Sequence, residues 1–316
     1  PGKEVVNRRQ LRKSLRTNFN PGPRDYLNRA KLRTRQALNL PAWWLGGRLD
    51  RPIFIIGAPR SGTSLLYAIL RTHPQLAHWP GEAHEVWEAE HHPALNGWDS
   101  NALDASDLTE PNAAYIRRQF FLVTGRGHRL SDKTPRNALR IPFINALFPD
   151  ARFIYLKREG RDNVNSLINA WRTGRYRTYR LDHEIPGVDQ KWWKFVLYPG
   201  WEADRRGPLE IVCAHQWTAC NSAALQAEVP SERWLEIRYE DLIADPVGRT
   251  EELMRGLGLP ADAGVRAAAA RLGANPINVV TPPERGKWKK ENPKEIESIA
   301  GIVGPLMKEM GYDDAD

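Results

Sequence analysis

The stretch IIGAPRSGTSLL, Ile55 to Leu66, limits this chain more than any other feature. A short apolar run, Ile53–Ile56, stops at a glycine, crosses a tight turn and enters a helix-forming segment. An apolar run without alternation suits a strand buried on both faces of a parallel sheet. A glycine turn that opens a helix aims backbone N–H groups and the positive end of the helix dipole at one point. The local chemistry is therefore an anion site in an α/β protein. Gly57 and Gly62 have the spacing of the G-x-x-x-x-G-K-[ST] phosphate loop, but Thr63 stands where its lysine would follow. Arg60, inside the turn, supplies the missing cation, and Thr63 and Ser64 add hydroxyls.

Further along, strand and helix patterns alternate. Arg152–Leu156 and Arg233–Tyr239 read as strands. Ser61–Thr72, Asn112–Val123, Asn137–Leu147, Asp162–Trp171, Leu209–Glu228, Pro246–Gly256 and Pro293–Met310 read as helices. The expected fold is α/β, a central parallel β-sheet flanked by helices, of the P-loop-like nucleotide-binding kind. Ligands in such folds sit beyond the carboxyl ends of the strands. The glycine turn lies at one such end and Lys157-Arg158 at another. Enzymes of nucleoside triphosphates hold a metal through an acidic residue at a strand end; Lys157 and Arg158 would repel one. The loop thus suits an anion that needs no metal, such as a sulfuryl group, with one negative charge where a terminal phosphoryl carries about two.

Charge divides the chain. Residues 1–50 hold twelve Lys/Arg against Glu4, Asp25 and Asp50, so this arm exceeds the whole net charge of +8 and the body is nearly balanced. The expected organisation is a basic helical arm, 1–50, and a single domain, 51–316, with 173–207 as an aromatic excursion on the acceptor side. Within the arm, Val5–Thr17 and Asp25–Leu38 read as helices, and Leu11, Leu15 and Phe19 form a stripe. The stripe suits docking on the body or on a second subunit as a homodimer contact; a peripheral membrane contact is the other use of a basic arm. Nucleic acid is the weaker partner, since no nucleic-acid motif accompanies the charge. An apolar share of 41% with twelve tryptophans marks a cored, folded chain, and no run nears the 18 apolar residues of a membrane span. Cys213 and Cys220 fall on one helical segment, too far apart for a disulfide, which points to a reducing, cytoplasmic setting, with membrane association left open.

A second motif, YLKREGRDNVNSLINAW, places Arg158 at a turn and Ser166 eight residues on, along a helix. Together with APRSGTSLL it resembles the sulfotransferases that use 3′-phosphoadenosine 5′-phosphosulfate (PAPS), and is closer to their bacterial and tyrosylprotein-type branches. DKTPRN (Asp132–Asn137), RYEDLIADP (Arg238–Pro246) and ERGKWKK (Glu284–Lys290) follow in the order that family has. The resemblance spans about residues 52 to 310 and implies the sulfotransferase fold, with PAPS as co-substrate, PAP as product and no metal. It implies that Pro59, Arg60, Ser61, Gly62, Thr63 and Ser64 bind the 5′-phosphosulfate, and Arg158 and Ser166 the 3′-phosphate. Arg285 and Gly286 match a late Arg-x-Gly element in shortened form, with Lys287 beside them. Leu65 replaces the tryptophan of the cytosolic branch, so Trp288 is the candidate to stack on adenine.

Transfer to a hydroxyl or amine acceptor is an in-line displacement on sulfur. Arg60 and Lys133 are the candidates to stabilise charge, and a general base is needed within hydrogen-bond reach of the acceptor. The resemblance implies a glutamate in a Gly-Glu pair, here Glu82; His84 is the alternative base. The aromatics Trp171, Trp192, Trp193, Phe195, Tyr198 and Trp201 suit either an acceptor pocket for a small molecule, lipid or glycan, or a satellite core. Two other classes remain open here. One is a degenerate nucleotide kinase or NTPase; the other is a non-catalytic nucleic-acid or membrane-binding module.

Overall fold

The computed structural model describes residues 23–181, 191–272 and 285–312. The helix expected at Val5–Thr17, with its stripe, and Glu284 lie outside these residues, as does the middle of the aromatic excursion. Five strands form one parallel sheet: β1 (Ile53–Ile56), β2 (Leu76–His78), β3 (Arg129–Asp132), β4 (Arg152–Lys157) and β7 (Trp234–Arg238), in the order β2-β3-β1-β4-β7. β5 (Tyr179–Arg180) and β6 (Trp192–Trp193) make a separate antiparallel ribbon.

The continuous apolar runs have a simple cause. Phe54 and Ile56 of β1, with Phe153 and Tyr155 of β4, face one hydrophobic core, while Ile53, Ile55, Ile154 and Leu156 face another. Each such side chain taken from water contributes about 1.5–3 kcal/mol. The first core is closed by helices Glu110–Thr124, Ile141–Leu147, Gly160–Arg172, Leu209–Leu225 and Ala300–Glu309. The second is closed by Thr63–Leu70, Pro246–Gly256 and Ala263–Ala270. Register sets Ile53 beside Ser131 on one flank and Arg152 on the other, so the carboxyl ends of β3, β1 and β4 open along one edge. The chain leaving β1 runs to β2, and that leaving β3 crosses to β4. Their loops diverge there and leave a crevice between them.

β2 and β3 carry no apolar run and were not expected. β3 reads Arg-Leu-Ser-Asp, yet all four residues are buried. The Arg129 guanidinium donates to the Arg51 carbonyl (2.9 Å) and the Leu257 carbonyl (2.7 Å), while Arg129 Nη2 and Ser131 Oγ are buried without a partner among the described residues. The helix expected over Asn137–Leu147 is instead a 3-10 turn, Pro135–Leu139, and a helix, Ile141–Leu147. Pro142 lacks the N–H that would continue the first piece and sits in the first turn of the second. The C-terminal helix likewise divides at Ile299.

The described part of the arm is one helix, Pro23–Trp44, longer than expected and packed on helix Glu110–Thr124. Trp43 and Phe121 lie 5.6 Å apart, Gln36 donates to Gln119 (3.1 Å) and Asn39 to the Leu122 carbonyl (3.0 Å). Cys213 and Cys220 are free, buried thiols of helix Leu209–Leu225. No helix of the described residues is long and apolar enough to cross a membrane.

Candidate active site

Two glycines decide the shape of the turn after β1. A Cβ on Gly57 would lie 2.6 Å from the Leu156 carbonyl, and Gly62 has φ +105 with its face against the Tyr239 ring. Side chains from β4 and the next helix hold the loop by its carbonyls. Asn163 Nδ2 donates to Pro59 O (3.0 Å) and Arg158 Nη1 to Arg60 O (2.9 Å). With those carbonyls turned away, the first N–H groups of helix Thr63–Leu70 face the crevice, where a helix has none of its own acceptors to offer them. Arg60 is itself in the left-handed region (φ +70). Its Nη1 donates to the Tyr176 hydroxyl at 2.8 Å and its Nε to Ser166 Oγ at 3.4 Å. Arg158 lies over the Tyr239 ring, 4.4 Å from its centre.

This cradle fits an anionic donor. Ser61 Oγ and Arg158 Nε are buried with no hydrogen-bond partner among the described residues. Burial, opposed by Tyr176 and reinforced by the neighbouring Arg158 cation, lowers the pKa of Arg60 below the ordinary arginine value, a strain that a bound anion relieves. The late loop closes on the same side. Gly286 N donates to Asp162 Oδ2 (2.8 Å), and Asn165 and Asn169 both donate to Glu291 (2.7 Å each). Asn292 then bonds Asn165 at 2.6 Å. These contacts set Arg285, Gly286, Lys287 and Trp288 beside the helix that carries Ser166. Arg161 (5.4 Å) and Lys289 (5.6 Å) lie over the Trp288 ring.

The second half of the site starts at the end of β3. Lys133 is buried, and its Nζ donates to Glu82 Oε1; His84 Nε2 lies 2.9 Å from Glu82 Oε2. Burial pushes the Glu82 carboxyl up, but the Lys133 charge and His84 outweigh it and hold it well below the usual carboxylate range. His84 is itself lowered, first by burial and then by the Arg136 cation, so at neutral pH it is uncharged and its Nε2–H can donate. Beneath this pair, the Thr134 hydroxyl accepts from Ala83 N (3.1 Å) and donates to Asp132 Oδ1 (3.2 Å). Asp132 Oδ2 accepts from Trp87 Nε1 (3.0 Å) and Asn137 Nδ2 (2.9 Å).

Asp132 corrects one expectation. An acidic residue does stand at the end of a strand next to β1, the place from which NTPases hold their metal. Here both of its oxygens are spent on fixing the Glu82 segment. Lys157, expected at the strand end to repel a metal, is turned to Glu236 (2.7 Å). Burial pushes Asp132 up to about 6, against the hydrogen bonds from Trp87 and Thr134. A raised folded-state pKa means stability that is full below the unfolded value, about 3.9, and lost as pH rises through 6. Asp132→Asn removes that dependence. Its stability relative to wild type should therefore improve by about 2–3 kcal/mol between pH 4 and pH 7, read by urea unfolding.

A third cluster braces the site from below. Glu88 Oε1 accepts from Arg136, from Arg140 Nη2 (3.0 Å) and from the Tyr179 hydroxyl (3.0 Å), tying the Glu82–Glu88 segment to the ribbon. Of the two uses left open for the ribbon region, the core one holds for Trp171, Trp193, Tyr198 and Trp201. Only Trp192 and Phe195 of the aromatics named for a pocket stay half-buried. Tyr176, Tyr239, Asn163 and Thr134 are site residues that sequence reasoning missed. Tyr239 begins a helix at a strand end and Thr134 sits inside DKTPRN, so position was a signal for both; Tyr176, in irregular chain, had none.

A family model described as the sulfotransferase family matches residues 52–263, from the edge of β1 past β7. The chain belongs to the sulfotransferase family. The protein-tyrosine sulfotransferase 1 of Danio rerio is 26% identical, covering 90% of this chain and 78% of its own length. Protein-tyrosine sulfotransferase A of Caenorhabditis elegans is 25% identical over 83% of this chain and 67% of its own. Among solved structures, the sulfotransferase STF9 of Mycobacterium avium superposes with a TM-score of 0.54 at 17% identity, covering 94% of this chain and 88% of that one, and shares the fold. The enzyme is thus a PAPS-dependent sulfotransferase, and the kinase and binding-module readings drop out.

Proposed function

We propose that this sulfotransferase modifies a phenolic hydroxyl, tyrosyl in type, with Glu82 as general base. One observation carries the reading: a carboxylate is fixed at the crevice edge between a buried lysine and a neutral histidine, next to an arginine-bearing anion loop. The names of the two relatives support a tyrosyl acceptor. When bound, PAPS supplies the sulfuryl group and a phosphate leaving group. The loop N–H groups, Ser61, Thr63 and Ser64 orient the phosphosulfate, while Arg158, Ser166 and the Arg285–Trp288 loop hold the 3′-phosphate end. Glu82 accepts the acceptor's proton as the new O–S bond forms. Arg60 and Lys133 meet the negative charge that grows as the S–O bond to the phosphate breaks.

Thermal stabilisation by PAP, ADP and ATP without added metal tests the donor half. PAP should raise the melting temperature most; a larger shift with ATP would sink the assignment. For the acceptor half, PAPS-dependent transfer is measured on tyrosine peptides, simple phenols, sugars and lipids. Transfer to peptides and phenols at least tenfold above the sugars and lipids is expected. A preference for sugar or lipid hydroxyls would overturn the phenolic reading while leaving the donor half intact.

A further inference from the structure

Tyr176 lies outside every motif that led to the site, yet its hydrogen bond from the donor-loop arginine is shorter than the one Ser166 receives. The Arg60 guanidinium donates through Nη1 to its hydroxyl at 2.8 Å, against 3.4 Å from Nε to Ser166. The same guanidinium lies 5.5 Å from the centre of the tyrosine ring. Arg60 is committed to this direction from both ends. Its left-handed backbone (φ +70) and the grip of Arg158 on its carbonyl fix where the side chain leaves the loop.

The far side of Tyr176 is equally committed. Its ring packs on Phe195, with centres 5.0 Å apart. Phe195 also has a left-handed backbone, φ +64, a strained state for a bulky side chain. The strain persists because the neighbours over-determine it. Gln216 Nε2 donates to the carbonyls on either side, Lys194 O (2.8 Å) and Val196 O (2.7 Å). Lys194, fully buried, runs back to cap the Trp171 and Thr173 carbonyls at the end of the Ser166 helix. A buried lysine, a buried glutamine and a strained phenylalanine are thus spent on presenting one half-exposed tyrosine to Arg60.

We propose that Tyr176 is a positioning residue for sulfuryl transfer: its hydroxyl, backed by Phe195, holds the Arg60 guanidinium in the orientation that meets the transferring group. The inference rests on the role given to Arg60 above. Tyr176 makes no step of the chemistry itself. It fixes one torsional choice of a long side chain that would otherwise lose much of its effect to rotamer freedom.

Tyr176→Phe keeps the ring against Phe195 and removes only the hydroxyl. It should lower kcat about tenfold, leave the KM for PAPS and the PAP affinity within about twofold, and leave the melting temperature unchanged. A purely structural role would instead move PAP affinity and melting temperature together. The double-mutant cycle with Arg60→Ala is the sharper readout, because Tyr176→Phe should cost nothing more once Arg60 is gone. A tenfold loss that persists in the Arg60→Ala background, or a Tyr176→Phe enzyme with kcat within twofold of wild type, overturns the proposal. If Arg60→Ala alone retains full turnover, it is the reading of Arg60 that fails, and the role of Tyr176 falls with it.

Discussion

Glu82→Gln should lower kcat by about 10²–10⁴-fold while leaving PAP affinity within about threefold of wild type. The amide keeps the shape of the side chain and an oxygen for Lys133, so the loss isolates the proton acceptor. Its size depends on a conflict visible in the resting site. Lys133 and His84 together hold the Glu82 carboxyl well below its usual range, which keeps it ionised but makes it a weak base. A base so held gains strength when its cation turns elsewhere. Lys133 has a reason to turn, because charge grows on the leaving oxygens during transfer. In the proposed reaction one lysine would serve twice, first orienting the base and then leaving it for the anion. The sign of the pH effect follows. A base with a depressed pKa stays active as the medium is acidified, so the acid limb of kcat/KM should begin below the ordinary carboxylate range rather than near 6 to 7. Initial rates for both enzymes across pH 4–9, with PAP titrated separately, check both statements. An acid limb inside that pH range in wild type would count against Glu82 as the base.

The sequence was most legible where one physical demand dominated. β1 and β4 were readable because both faces of each strand are buried, and the glycine turn because Gly57 and Gly62 have no room for a Cβ. β3 was not readable. All its buried residues but Leu130 are polar, and Arg129 is held there by partners up to 128 residues away, such as the Leu257 carbonyl. The site shows the same division. The candidates Arg60, Glu82, Lys133, Arg158 and Ser166 could be named from motifs, since each is a residue type the proposed chemistry calls for. Which charge meets which could not, because the pairings Lys133–Glu82 and Arg60–Tyr176 are set by loops whose paths no periodicity records. The aromatic excursion stayed undecided between pocket and core for a related reason. Composition reports how many rings a segment carries, but not that Trp171, Trp193 and Trp201 pack edge to face in the core.

Arg158→Ala should weaken PAP binding by about 10²–10³-fold, and should weaken ADP binding far less. The magnitude comes from two charge-assisted hydrogen bonds to a phosphate, each contributing about 1.5–3 kcal/mol, less the partial cover that Ser166 still provides. The comparison with ADP is needed because Arg158 has two tasks here. Its Nη1 holds the Arg60 carbonyl and so shapes the loop for any phosphate, while its buried Nε, without a partner among the described residues, stays available to a ligand. Loss of the first task weakens PAP and ADP alike; loss of the second weakens only the nucleotide that carries a 3′-phosphate. Arg158→Lys separates them further. It returns a charge without the planar fork, and so should recover PAP binding by about tenfold but not fully. Calorimetric titration of both nucleotides against the three enzymes reads these differences directly. An equal loss for ADP and PAP in Arg158→Ala would assign the arginine to the loop alone. The 3′-phosphate would then be read by Ser166 and the Arg285–Trp288 loop, which the amide contacts of Asn165, Asn169 and Asn292 hold against the same helix.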